Sequence, residues 1–340
     1  MPTSVRPARP VTTGQRSRKG WYWRRPEARD MKWICIVCLC IGMAWAEERV
    51  VSYSLLVDAE PGQGFCWPYY LYVPPQCAQG GEQAFPLLVL PNNTGQVEDD
   101  NKVHLEKTGK DLAGWRRLAD ELGCVLVSPA FPRPARQWQL YTHALDRDTL
   151  MQGSGDLNRL DLQMLATLQN ARLRLAAHHI QTRPKSWMMG FSAAGMFANR
   201  FALLHPEAVE RVAVGSPGGW PMAPLAKSAG QELPYPVGCS DLVNLTGKPL
   251  QSEEARKIRF LFFLGSKDDN DSVAYDDGYD AKERALVHQL FGLTPVERWP
   301  KAEKLYQLAQ MNAVFRLYPG VGHEMTLEMR NDVVRFLLSP

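Results

Sequence analysis

The stretch that most limits what this chain can fold into is KSWMMGFSAAGMFANRFALLHP, Lys185 to Pro206. It opens with the short apolar run Trp187, Met188, Met189, makes a Gly-Phe-Ser turn, and continues at helical spacing through Met196, Phe197, Phe201 and Leu204. A serine caught between a strand and a helix sits in a sharp turn that pushes its hydroxyl out of the sheet. The helix beneath aims backbone N–H groups at any anion formed there. Backbone doubling back needs small neighbours, and Gly190, Ala193, Ala194 and Gly195 supply them. The pattern departs from Gly-x-Ser-x-Gly, because Ala194 stands two residues after Ser192 and the glycine follows one later. An ordinary Gly-Ser turn opening a helix fits this stretch too, so the downstream residues decide.

The flanking chain has the matching alternation. Val50 to Val57 and Tyr69 to Val73 are β-rich, and Pro74-Pro75 stops the second. Pro86 to Leu90 is a short apolar run entering the turn-rich Pro91-Asn92-Asn93-Thr94-Gly95. Leu112, Trp115, Leu118, Ala119 and Leu122 have helical spacing and stop at Gly123; Cys124 to Ser128 is the next strand. A helix is predicted over about 157–178, and strands over Lys185–Gly190, Val209–Gly215, Ile258–Leu264 and Ala313–Tyr318, before a closing helix from Met325 to Leu338. Strands alternating with helices imply an α/β domain over 47–340 with a mostly parallel central sheet, helices on both faces and an antiparallel addition at its N-terminal edge. The Pro- and Gly-containing stretch 216–257 is expected to be an excursion over the sheet edge, or a small cap.

Charge is concentrated at the front. Residues 1–46 hold nine Lys/Arg and two Asp/Glu, leaving 30 basic against 34 acidic residues, a net of about −4. A mildly acidic body gives no reason to expect nucleic acid or an anionic membrane as partner. Met31-Lys32, the apolar run Trp33 to Met43 and Ala44-Trp45-Ala46 have the order of a signal peptide cut after Ala46, which makes the chain exported. The apolar run is too short to span a bilayer, so no stable membrane anchor is expected. Residues 1–30, Arg/Pro-rich and without periodicity, read as an over-extended start or a long basic leader. Of seven cysteines, Cys66, Cys77, Cys124 and Cys239 follow the leader; four in an exported chain permit two disulfides in three connectivities. No metal-ligand spacing occurs after the leader, and the acidic residues Asp276, Asp277 and Asp280 lack the pattern of a calcium loop. No metal or cofactor is expected.

Open parallel sheets gather their chemistry at the carboxyl ends of strands. Ser192 follows one strand, the acidic run Gly265-Ser266-Lys267-Asp268-Asp269-Asn270-Asp271 a later one, and Gly320-Val321-Gly322-His323 the last. A serine becomes a nucleophile only when a base takes its proton, and that base needs a carboxylate to hold its tautomer. Phe131, Trp138, Tyr141 and Trp220 also follow strands and His143 lies in a bordering loop, so these five are the expected substrate contacts.

On these motifs the chain, over roughly residues 50–338, resembles the α/β-hydrolase superfamily. Within it, the chain is similar to exported esterases of the polyhydroxybutyrate depolymerase and feruloyl esterase type. The resemblance implies Ser192 as nucleophile and His323 as general base. It also implies an oxyanion hole from the N–H groups of Ala193 and Thr94, with Asn93 the alternate to Thr94. The family's spacing after the strand-end glycine selects Asp268 as the acid, ahead of Asp271 and then Asp269. Asn-Asn stands where His-Gly is common in the oxyanion loop. The family's sheet order would bring Cys77 near Cys124, and Cys66 near Cys239 if the excursion reaches back. The implied activity is hydrolysis of a small-molecule or polymeric ester; a peptidase or a non-catalytic binding protein of the same fold are the alternatives.

Overall fold

The computed structural model describes residues 51–340; the leader-like segment 31–46 and residues 1–30 lie outside them. Eight strands form the central sheet: β1 (Tyr53–Val57), β2 (Tyr69–Val73), β3 (Leu87–Val89), β4 (Val125–Pro129), β5 (Ser186–Phe191), β6 (Val209–Gly215), β7 (Arg259–Gly265) and β8 (Asn312–Tyr318). Their spatial order is β1-β2-β4-β3-β5-β6-β7-β8. Only β2 runs antiparallel to its neighbours; every pair from β4 across to β8 is parallel.

The inner strands are near-continuous apolar runs because both faces are covered. On one face Leu88, Leu126, Met189 and Phe263 pack with Leu112, Leu118 and Leu122 of helix α1 (Asn101–Leu122) and with residues of the closing helix. On the other, Val89, Val127, Met188, Val214 and Phe262 pack with Met164 and Leu168 of α2 (Leu160–Ala177) and with Phe197 and Phe201 of α3 (Ala193–Leu204). Two helices that apolar periodicity does not announce follow β7: α4 (Ala281–Phe291) and α5 (Pro295–Leu308). The closing helix, α6, runs Leu327–Leu338. Helix α1 starts well before the predicted apolar stripe, capped by the Asp100 side chain on the Lys102 N–H.

The stretch 216–257 holds a two-stranded ribbon and two short helices, and it buries Trp220, Met222, Leu233, Tyr235 and Val237. Part of it packs with Ala193 and Met196 of α3, so it is pressed onto the helix that follows Ser192. Among the described residues no helix is long and apolar enough to cross a membrane.

The far end of α3 is held by charge. His205, its C-cap, donates from Nε2 to Asp161 Oδ2 at 2.9 Å, and Arg159 donates to both Asp161 oxygens at 2.8 and 2.7 Å. Burial alone would raise the Asp161 pKa, but Arg159 and His205 outweigh it and bring the carboxyl from its ordinary 3.8 down to about 2. A depressed carboxylate stabilises the fold above its ordinary pKa and loses that contribution as pH falls toward the folded value. Asp161→Asn leaves Arg159 and His205 facing an amide and is expected to cost about 3–5 kcal/mol at neutral pH. Urea unfolding should show this cost at pH 7 and a smaller gap between variant and wild type near pH 2.

Both expected disulfides are corrected: the four cysteines are free thiols. Cys77 and Cys124 are buried neighbours; burial pushes the Cys77 thiol up to about 12, and burial together with the nearby Cys77 pushes the Cys124 thiol up as well. Cys66 lies against Gln163 and Asp156, while Cys239 lies against Leu225 and Asp241, so the excursion does not deliver a partner to Cys66.

Candidate active site

Ser192 occupies the β5–α3 turn with φ 59° and ψ −128°, a backbone strain of about 1–3 kcal/mol for a residue with a side chain. The turn is tied down by the Ser192 N–H donating to Gly215 O at 2.9 Å across to β6. The glycines beside it are sterically required: a Cβ on Gly190 would stand 2.0 Å from Ala194 O, and one on Gly195 2.6 Å from Gly215 O. Ala194, where the motif has glycine, is accommodated for a different reason. It lines a cavity of about 200 Å³ shared with Asn93.

Beyond β3, Asn92 is buried and clamps its loop to the β4 exit, with Nδ2 donating to Phe131 O at 2.8 Å and Oδ1 accepting from Phe131 N at 3.2 Å. Asn93 Oδ1 accepts from Gly95 N at 3.1 Å, fixing the tip. Among the described residues the N–H groups of Asn93, Thr94 and Ala193 donate to no protein acceptor. Asn93 shares the lining of that cavity with Phe191 and Ala194, the residues that flank Ser192-Ala193.

The loops after β7 and β8 are stitched together. Lys267 N donates to Val321 O at 2.8 Å, Ser266 N to Tyr318 O at 2.9 Å, and Gly320 N to Ser266 Oγ at 2.8 Å. Gly265 permits this approach, since a Cβ there would lie 2.3 Å from Val321 O. The stitching sets His323 Nδ1 at 3.1 and 3.0 Å from the two Asp268 oxygens. Asp268 is almost wholly buried, whereas the His323 side chain is 24% exposed. Burial raises the Asp268 pKa, but the hydrogen bond from His323, the nearby Ser216 hydroxyl and the Asn270 N–H at 3.0 Å outweigh it and hold the carboxyl below its ordinary value. The ionised acid therefore takes the Nδ1 proton of His323 in a hydrogen bond and leaves Nε2 as the basic nitrogen. The His323 ring lies 4.9 Å, centroid to centroid, from Phe191, the residue before Ser192. Among the described residues neither Ser192 Oγ nor His323 Nε2 forms a hydrogen bond.

Asp271 and Asp269 stand apart from the histidine. Asp271 pairs with the fully buried Arg298 at 2.7 Å and caps the Val273 N–H, and Asp269 is exposed.

No protein-family model and no curated protein matches this chain. Solved structures do. A poly(aspartic acid) hydrolase-1 from Sphingomonas sp. KT-1 aligns with a TM-score of 0.55 at 15% identity over 85% of this chain and 99% of its own. A poly(3-hydroxybutyrate) depolymerase from Bordetella parapertussis aligns with a TM-score of 0.51 at 17% identity over 84% and 88%. The chain has the α/β-hydrolase fold.

Within this α/β-hydrolase fold, three of the five expected substrate contacts are buried. Phe131 packs on Phe197 of α3 with ring centroids 5.9 Å apart. Trp220 stacks on Phe291 at 4.1 Å and donates from Nε1 to Val237 O at 2.9 Å. His143 is enclosed, donates from Nε2 to Phe131 O at 2.8 Å, and has its pKa pushed down to about 3 by burial, so it is a neutral strut behind the Asn92 clamp. One cause is Arg200 of α3, which reaches Ala144 O and Tyr279 Oη, both at 2.9 Å, and draws two loops down onto the helix. Tyr141 lies beneath the Arg133 guanidinium at 3.7 Å, and Trp138 is exposed on an outer turn.

Sequence reasoning passed over Ser216. It follows β6 with φ 42°, and its buried hydroxyl forms no hydrogen bond yet lies near enough to Asp268 to stabilise its charge. Its place just past a strand end was the available signal. Ser216→Ala should leave folding intact and lower kcat by a few-fold; a loss beyond about a hundredfold would mean that the hydroxyl does more than stabilise the carboxylate.

Proposed function

We propose that this chain is an exported serine hydrolase that cleaves carboxylic esters through an acyl-enzyme. The observation that carries this reading is the Asp268–His323 pair, held by two stitched loops beside the strained turn that exposes Ser192. Ser192 Oγ attacks the ester carbonyl as His323 Nε2 takes its proton. The imidazolium, stabilised by Asp268, returns that proton to the leaving alcohol. The Ala193 N–H and the Thr94 N–H, with Asn93 as alternate, receive the carbonyl oxygen as it becomes an anion, each donor typically lowering the barrier by about 3 kcal/mol. Water then repeats the sequence on the acyl-enzyme.

The name of one structural neighbour, poly(3-hydroxybutyrate) depolymerase, is in keeping with an ester substrate, and the leader-like segment with export. Nitrophenyl esters together with a fluorophosphonate probe test the reading. Labelling of the wild type that is lost in Ser192→Ala supports it. Absence of labelling in both proteins supports the non-catalytic alternative.

A further inference from the structure

Gly215 closes β6, an inner strand of the sheet, where a side chain would ordinarily pack. The residues paired with it on either side account for the glycine. Phe191 at the end of β5 and Phe263 of β7 are both in register with Gly215. A Cβ there would stand 2.4 Å from the Phe263 ring and 2.7 Å from the Phe191 ring. The bare backbone lets the two rings approach across β6, with centroids 6.3 Å apart. Phe191, braced in this way, also meets His323, the ring centroids lying 4.9 Å apart at 44°. Val321 and Met325, each two residues from His323 in the chain, pack on the same apolar cluster as the two phenylalanines.

The imidazole has little else to fix it. Nδ1 lies 3.1 and 3.0 Å from the two Asp268 oxygens, an anchor at one atom about which the ring can still swing. Among the described residues no other hydrogen bond holds the imidazole and no other ring packs on it, and the side chain is 24% exposed. Contact with Phe191 removes that swing. Because Phe191 is bonded directly to Ser192, it also ties the ring to the turn that carries the hydroxyl. The phenyl lies within the range at which an aromatic ring attracts a cation. The imidazole becomes a cation only once it has taken the serine proton, so this attraction grows toward the transition state and adds nothing to ester binding. Resting on the reading of Ser192 as nucleophile and His323 as base, we propose that Phe191 is a positioning residue that fixes the His323 imidazole against the β5 end and steadies its charged form.

The test compares wild type, Phe191→Leu and Phe191→Tyr by kcat and KM on nitrophenyl acetate, per site titrated with a fluorophosphonate, and by the low-field NMR signal of the His323 Nδ1 proton. Leucine keeps most of the apolar bulk, and titration counts only folded sites, so a partly unfolded preparation still gives kcat. Phe191→Leu should lower kcat by about tenfold to thirtyfold while KM changes by less than about twofold, and should broaden the low-field signal. Phe191→Tyr keeps the ring and should restore kcat to within about threefold of wild type, with the signal sharp. A leucine variant with wild-type kcat per site and an unchanged signal would overturn the role of Phe191 and leave the nucleophile and base standing, as would a loss confined to KM. A tyrosine variant as slow as the leucine one would overturn it too. Failure of wild type to react with the fluorophosphonate would remove the nucleophile reading itself, and the role of Phe191 with it.

Discussion

Ser192→Ala is expected to lower kcat on a nitrophenyl ester by about a million-fold, because the members of such a site act as one unit and losing the nucleophile forfeits the whole covalent route. The fold should survive. Alanine is no larger than serine, and the strained turn is held by the backbone bond to Gly215 O and by the close fit of Gly190 and Gly195, none of which uses the hydroxyl. What remains is binding plus the donors at Ala193 and Thr94, which typically preserve about a thousandfold or more over water. The variant should therefore still bind ester with nearly unchanged affinity while losing turnover. Full-length progress curves at high enzyme, with the melting temperature as control, read both quantities. A variant retaining more than about one part in a hundred of wild-type kcat would place the nucleophile elsewhere.

Much of this architecture is legible in the sequence because the sheet is buried on both faces. Strands such as Leu87–Val89 must be apolar throughout, and their edges then mark the chemistry-bearing loops. Helices α4 and α5 are harder to see, since their apolar stripes are thin. Their starts were nonetheless written in residues: Asp280 and Glu283 form a capping box, and Thr294 caps α5 ahead of Pro295. The burial of Phe131, His143 and Trp220 is not legible for a different reason. A position after a strand says where a loop begins, not where it goes, and Arg200 draws the loops carrying Ala144 and Tyr279 inward while Trp220 settles on Phe291. The cavity lined by Ala194 and Asn93 is walled by elements far apart in the chain, and no local pattern announces it. The cysteines make the same point: Cys77 and Cys124 do come together, but adjacency across two elements does not by itself form a bond.

The three aspartates of the β7 loop, alike in sequence, are expected to separate cleanly on mutation. Asp268→Asn should lower kcat by roughly ten-thousand-fold at neutral pH, because an amide no longer demands a proton on Nδ1 of His323 and does not stabilise the imidazolium. Asp268 is held below its ordinary pKa, so it stays ionised as pH falls through the ordinary carboxylate range. Its stabilisation is present above that range and is lost only when pH drops through the depressed value. Protonation of Asp268 therefore does not set the acid-side loss of rate in the wild type. Asp271→Asn acts elsewhere. It strips the fully buried Arg298 of its carboxylate, an expected cost of about 3–5 kcal/mol in stability with kcat changed only a few-fold in the molecules that remain folded. Exposed Asp269 should tolerate asparagine on both measures. Active-site titration distinguishes a slow enzyme from a small folded fraction. A titrated kcat that falls further in Asp271→Asn than in Asp268→Asn would hand the orienting role to Asp271, and would require the loop to break its pairing with Arg298 before each turnover.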